Sequence, residues 1–427
     1  MCQFVFTFTS ALLFTGGKFT LYQPINLYRK FTASQIFTGH EMLTDHFALI
    51  TTKEGIVVDL VEIADAGDEI ESFTGLITPG FINTHCHVEL SHLKGLINSG
   101  TGLVEFVQQV MGKKNGFNEE KLDAMQTAVL EMHNGGIQAV GDICNTTDTI
   151  PLKQKSKLHW HNFIEVSGFT DAAANSRLAD IKKVYDKFYA HQLLKTTLSP
   201  HSPYSVSKTL FRELNNETDK QLITIHNQEC DAENDLYQNK SGGFLDLYKN
   251  FKIDITAFEP TRKTSLQSWL PYFTNKQSII SVHNTFTSQA DIDFFSQQLN
   301  ADSLSAGPSI AQLFFCICAN ANKYIEQKLP PINLLLKNNC NIVIGTDSYA
   351  SNWQLDILDE IKTIQQETSF TIPLTTILQW ATINGAHALQ MDDVLGSFEK
   401  NKKPGVVLME GIENSNITNR SSSRRIL

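Results

Sequence analysis

Six polar residues, dispersed between positions 85 and 347, have the types and local settings of a metal-dependent acid/base site. His85 and His87 close the stretch LITPGFINTHCHVELSH (residues 76–92). Alternate side chains of a strand share a face, so this pair can hold one ion. Taken alone, an H-x-H in an apolar strand reads equally well as two core or rim histidines. His226 in LITIHNQE and Asp347 in NIVIGTDS also end apolar, strand-like runs. Three imidazoles and one carboxylate suit one borderline divalent ion, zinc first and iron second, with a position left for water. Such an ion brings its water's pKa from about 15.7 toward ~7.

Glu229 stands three residues past His226, beyond the strand face, which fits a group that moves protons without binding the ion. His283, ending SIISVH, is placed to orient or deprotonate the water. His201 in PHSPYS, Glu165 at the end of LHWHNFIEVSG, and Glu89 are expected to line a substrate cavity. Each residue has a plainer alternative. His226 could be a rim histidine, and Asp347 could cap a helix expected over 353–367. Glu229 could open the helix that holds Asp231 and Glu233, where the macrodipole favours acids.

The elements that must position these residues alternate between strand-like and helix-like. Eight strand candidates run from the first histidine pair to GTDS, and seven finish on a polar or titratable residue. Helical stretches are expected over 103–114, 119–133, 176–193 and 208–216. The pattern predicts an α/β fold, a (β/α)8 TIM-like barrel over 79–390, whose strand ends converge on one face. An open doubly wound sheet is the alternative, and the lack of a Gly-rich phosphate loop after an early strand weakens it. Residues 28–78 and 391–415 alternate like strands and are expected to join as a small β-sandwich domain, with two strands in LGSFEKNKKPGVVLMEGI. Residues 416–427, polar and basic, are expected to be a mobile tail. Residues 1–27 form an extension of uncertain order, mildly signal-like but with no basic residue ahead of the apolar part.

A formal charge of −10 and a pI near 5.7 argue against nucleic acid or an anionic membrane as partner. No apolar run is long enough to span a bilayer. The seven cysteines match neither a zinc ribbon nor a disulfide framework, so reduced thiols in a cytoplasm are expected. Cys316 and Cys318, in the apolar run FFCICAN, are expected to pack rather than bind metal.

Over about residues 28–412, the chain resembles the amidohydrolase superfamily, in particular its mononuclear deaminase and chlorohydrolase branch. The motifs that carry the resemblance are PGFINTHCHVELSH, PHSPYS, HNQE, VHNTFTS, and GTDSYASN with LDILDEI, in that order; TINGAHAL matches the helix that usually follows the barrel. HCHVELSHLKG with NANKYIEQKLPP is most similar to the aminodeoxyfutalosine deaminase group. The resemblance implies His85, His87, His226 and Asp347 as metal ligands, with Glu229, His283 and Asp347 catalytic. It implies a hydrolytic deaminase of an amino-substituted heterocycle, such as an aminopurine nucleoside, or alternatively a chlorohydrolase or cyclic amidohydrolase. Binuclear relatives bridge two metals with a lysine ending the fourth strand; here His201 ends it and Lys195 begins it, which implies one metal. A non-catalytic binding protein on this scaffold would have lost a ligand or Glu229, and none is lost. The substrate, zinc against iron, and monomer against homo-oligomer stay open. The first twenty-odd residues have no counterpart in the family pattern, residues 300–316 are more apolar than expected, and Gly405 stands where an acid is common.

Overall fold

The computed structural model describes residues 27–113, 119–192, 194–300, 310–414 and 416–427. Nearly all of the expected N-terminal extension and part of the apolar 300–316 stretch lie outside the described residues. Five strands come first: β1 (Tyr28–Phe37), β2 (Met42–Thr44), β3 (Phe47–Thr52), β4 (Val57–Glu62) and β5 (Glu71–Pro79). Four parallel strands follow, β6 (Phe81–Cys86), β7 (Ile137–Cys144), β8 (His159–Val166) and β9 (Lys195–Pro200), paired in sequence order. A second parallel set, also in sequence order, holds β10 (Leu222–Asn227), β11 (Ser278–His283), β12 (Gln312–Ile317) and β13 (Asn341–Ile344). The chain ends with β14 (Val406–Glu410) and β15 (Ser422–Arg425).

The eight parallel strands read as short β-branched and apolar runs because they are covered on both faces. All residues of β7, β10 and β11 are buried. Helices supply the outer cover. In the helix Lys208–Glu217, Ser207 caps the first turn by accepting from Leu210 N at 3.2 Å, and Leu210, Phe211 and Leu214 form the buried stripe. Burial of each such side chain contributes about 1.5–3 kcal/mol. The two four-stranded sheets meet at both ends. His226 N donates to His201 O at 3.0 Å beside β9 and β10. At the other end, Thr346 N and Asp347 N both donate to His85 O at 3.0 Å, just beyond β13.

The two chain ends meet in one seven-stranded sheet, ordered β15-β14-β5-β1-β3-β4 with β2 on β1. The hydrogen bonding joins the strands of both chain ends in one continuous sheet. Gly80 carries the chain from β5 into β6, and a Cβ there would lie 2.6 Å from Pro404 O. Two local expectations are corrected. The stretch 395–412 holds one strand, not two. Its first half, with Lys400, Asn401 (φ 71°) and Lys402, lacks the alternation a strand needs and turns instead. Nor is the C-terminus a free tail, since β15 pairs antiparallel with β14. Arg425, the last residue of β15, donates to His133 O at 3.1 Å, Ile137 O at 2.6 Å and Gln138 Oε1 at 2.6 Å.

Removing the guanidinium takes a charged donor from the carbonyl of 137, from Gln138 Oε1 and from the carbonyl of 133, which keeps only Gly136 N at 3.2 Å. Arg425→Ala is expected to lower unfolding free energy by about 2–3 kcal/mol, measured as a shift of the urea midpoint. An unmoved midpoint would show that the last strand contributes nothing to the fold.

Candidate active site

The ends of the parallel strands bring four donors together. His85 lies on β6 and His87 just past it, and His226 is the penultimate residue of β10. His87 Nε2 lies 3.2 Å from the Nε2 atoms of both His85 and His226. Asp347 Oδ1 lies 3.6 Å from His85 Nε2 and 3.4 Å from His87 Nε2. Donors sharing one tetrahedral ion with bonds of 2.0–2.1 Å stand about 3.3 Å apart, so these residues fit a zinc-sized ion. His226 Nδ1 lies 2.7 Å from His201 O. A carbonyl only accepts, so Nδ1 carries the proton and Nε2 presents its lone pair. Ser351 Oγ donates to Asp347 Oδ2 at 2.6 Å, leaving Oδ1 turned to the histidines.

Backbone geometry makes room for this convergence. Asp347 has φ 57° and His283 φ 72°, left-handed values that turn each side chain inward at a strand exit. Gly345 lets β13 pass close to His85, for a Cβ there would lie 2.8 Å from His85 Cβ. The four donors are at most 8 % exposed. Burial drives His226 well below its usual value and also lowers His87. Burial alone would raise Asp347, but the His85 hydrogen bond and the charges of His87, His283 and His85 hold it well below the carboxylate range. The donors that shift therefore move toward the neutral imidazole and the carboxylate that a metal requires.

Glu229 and His283 face each other, Oε1 to Nε2 at 3.5 Å, both buried. Burial, with Asp347 and Glu233 nearby, raises Glu229 well above the usual carboxylate value, whereas burial pushes His283 down to about 3. Two plainer readings fail on geometry. The helix after Glu229 runs Asp231–Asn239, with Cys230 at its N-cap. The helix after Asp347 starts only at Ile357 and is capped by Asp356, which accepts from Leu358 N at 2.8 Å.

A cavity of about 380 Å³ opens over these groups, lined by Glu89, Glu165 and His201 and by the apolar Leu90, Phe106 and Val110. Glu165 Oε2 accepts from Asn145 Nδ2 at 3.0 Å, while its buried Oε1 has no partner and lies 3.9 Å from His201 Nε2. Glu89 lines the cavity as expected, with its carboxylate also engaged by the neighbouring loop. Asn145 N, Thr146 N and Thr146 Oγ1 already occupy both of its oxygens, at 3.1, 2.9 and 3.0 Å. It therefore braces the loop after β7, and burial pushes it up to about 7. Lys195 Nζ donates to Gln390 O at 2.8 Å, at the opposite end of β9 from His201.

Sequence reasoning missed the support layer. Asp142 Oδ1 accepts from Val88 N at 2.8 Å, fixing the peptide after His87, while Oδ2 pairs with buried Lys153. A lysine in a six-residue helix gives no sign of such a role. Ser351, inside the quoted GTDSYASN, was the one member open to detection.

The Amidohydrolase family model matches residues 76–427. Adenosine deaminase of Helicobacter pylori is 24 % identical over 339 residues, 77 % of each chain. Among solved structures, H. pylori aminofutalosine deaminase in complex with methylthio-coformycin has a TM-score of 0.75 at 22 % identity, over 91 % of this chain and 93 % of that one. An adenosine deaminase from Xanthomonas campestris with bound zinc has a TM-score of 0.65 at 21 % identity, over 89 % and 84 %.

A donor cluster with three close imidazoles, which shares His226 with the second group Glu165 and His201, and no bridging lysine among the described residues lead to a clear expectation. Elemental analysis should give about one transition metal per chain, and Asp347→Asn should lower that content because an amide is a weaker ligand than a carboxylate. Two metals per chain at full activity would exclude a single site.

Proposed function

The chain belongs to the amidohydrolase family, and from that premise we propose that it is a metal-dependent hydrolytic deaminase of an aminopurine nucleoside. The two parallel sheets are taken as halves of one (β/α)8 barrel, a closure supported by the backbone bonds at His201 and His85. The reading is carried by one observation: a buried carboxyl and a buried imidazole, Glu229 and His283, stand 3.5 Å apart beside four convergent donors. His85, His87, His226 and Asp347 would hold a divalent ion, zinc or iron. When bound, it would make a water reactive at neutral pH.

The chain's own groups then divide the proton work. Opposed environments set the roles. Glu229, raised by burial, is the group suited to give a proton to the ring nitrogen beside the amino-bearing carbon. Neutral His283 and ionised Asp347 can accept protons from the attacking water. A carbon–oxygen bond forms, the carbon–nitrogen bond breaks, ammonia leaves with one proton from the water, and the water's other proton returns to Glu229. A chlorohydrolase would need the same water and the same ring proton, but chloride departs without a proton of its own, so the relay through His283 and Asp347 is the part that an amine leaving group requires.

Glu165 and His201 are proposed to hold the sugar, since the unpartnered Glu165 oxygen needs a donor and a ribose hydroxyl supplies one. The apolar wall at Leu90, Phe106 and Val110 leaves room for a modified 5′ position. The six described cysteines are free thiols, which supports a reducing, cytoplasmic setting.

The decisive screen measures ammonia release from aminopurines, their nucleosides, pterins and triazines. Activity confined to chlorinated triazines would overturn the deaminase reading. Glu229→Gln is expected to keep its metal while turnover falls by ~10²–10⁴-fold. Near-wild-type turnover would remove its proton role, and loss of metal would make it a ligand. Glu165→Gln should raise KM for ribonucleosides with kcat largely kept, the mark of lost ground-state binding; an unchanged KM would remove it from the sugar site.

A further inference from the structure

Glu233 is fully buried, yet it is neither a metal donor nor part of the cavity wall. It lies in the first turn of the helix Asp231–Asn239 and reaches back past the N-cap. Its Oε1 accepts from Gln228 N at 2.8 Å and from the Ser265 hydroxyl, and the Glu229 amide is directed at the same carboxyl. Its Oε2 is buried without a partner. Gln228 between them is left-handed, φ 46°, and successive amides around such a residue converge on an anion.

Gln228 is also held at its remaining polar atoms. Its Nε2 donates to Asn234 Oδ1 and Asp291 Oδ2, both at 3.2 Å. Its Oε1 accepts from Thr287 Oγ1 at 2.7 Å, and its carbonyl from Phe286 N at 3.1 Å. Phe286 and Thr287 follow His283, so the clamp joins the turn that carries Glu229 to the turn that carries His283. An ordinary helix cap would serve only its own first turn.

We propose that Glu233 is a positioning residue that locks the Gln228 turn and thereby aims Glu229 for proton transfer; this rests on the role assigned to Glu229 above. The carboxyl acts through one oxygen, so its charge is dispensable. Burial pushes the group up to about 7, in keeping with that role.

The test uses the metal-loaded full chain, with a 6-aminopurine ribonucleoside and its 6-chloro counterpart as substrates. Glu233→Ala should keep its metal and KM while kcat on the amine falls by ~10²-fold, the scale of a misplaced acid. The 6-chloro substrate, which takes the same ring proton from Glu229, should lose about as much. Glu233→Gln keeps the single acceptor oxygen and should restore most of the turnover. Unchanged turnover in Glu233→Ala, a loss confined to the amine, a loss without rescue by glutamine, or loss of metal would each overturn the proposal. Should Glu233→Ala fail to fold, Ser265→Ala removes the other bond to the same oxygen and should lower kcat on both substrates with metal and KM kept; an unchanged kcat would overturn the proposal. A wild-type chain that releases no ammonia from any aminopurine nucleoside would defeat the Glu229 reading and this one with it. An active wild type indifferent to Glu233 would defeat this one alone.

Discussion

The carbonyl of His85 is the atom on which the site's geometry depends. It accepts the amides of both Thr346 and Asp347, and so ties the exit of β6 to the exit of β13, some 260 residues apart in sequence. Side chains reinforce the junction. Asn83 Nδ2 donates to Thr346 Oγ1 at 2.7 Å, Thr346 N returns a bond to Asn83 Oδ1 at 3.0 Å, and Thr84 Oγ1 donates to Ile344 O at 2.9 Å. The polar pair Asn-Thr thus joins β6 to the exit of β13, and that junction sets His85 and Asp347 close together.

Burial does the chemical work once that junction is made. The four donors, Glu229 and His283 are buried, and the groups whose acidity shifts follow their neighbours. The acid is raised where it faces a neutral imidazole, and the carboxylate beside three histidines is lowered. The support layer obeys the same rule with a different outcome. Lys153 and Asp142 are buried together, and Asp142 offsets the burial that would otherwise discharge the lysine. Breaking one member of such a pair costs more than the pair contributes, because a lone buried charge remains.

The parts legible in the sequence are those whose chemistry repeats a strand period. His85 and His87, His226, His283 and Asp347 each close an apolar run, so their meeting at one set of strand ends followed from the alternation of strands and helices. The roles of Glu89 and Glu165 were not separable, because both are acids near strand exits. The difference lies in whether a backbone turn at Asn145 and Thr146 has claimed the oxygens. The last strand was misread for a related reason. SSRR has no apolar face, and what orders it is a guanidinium bound to carbonyls at 133 and 137. Carbonyls carry no mark in the sequence.

The left-handed residues at the strand exits make the last link between stability and chemistry. Gln228, His283, Asn284 and Asp347 all have positive φ, a conformation that costs a non-glycine residue roughly 1–2 kcal/mol. None could be glycine without losing a side chain the site uses. Asn284 Nδ2 donates to Ser281 O at 2.8 Å and its Oδ1 accepts from Ser281 Oγ at 2.6 Å, so it holds its own turn. Asp347 is held by Ser351 and by the His85 carbonyl, and Gln228 by its clamp. At Gln228, Asn284 and Asp347 the strain is therefore matched by buried hydrogen bonds worth about 0.5–1.5 kcal/mol each. A site built this way tolerates little loosening. Removing a single support frees the turn to relax toward an ordinary conformation, and the side chain it carries then swings away from the ion and the substrate.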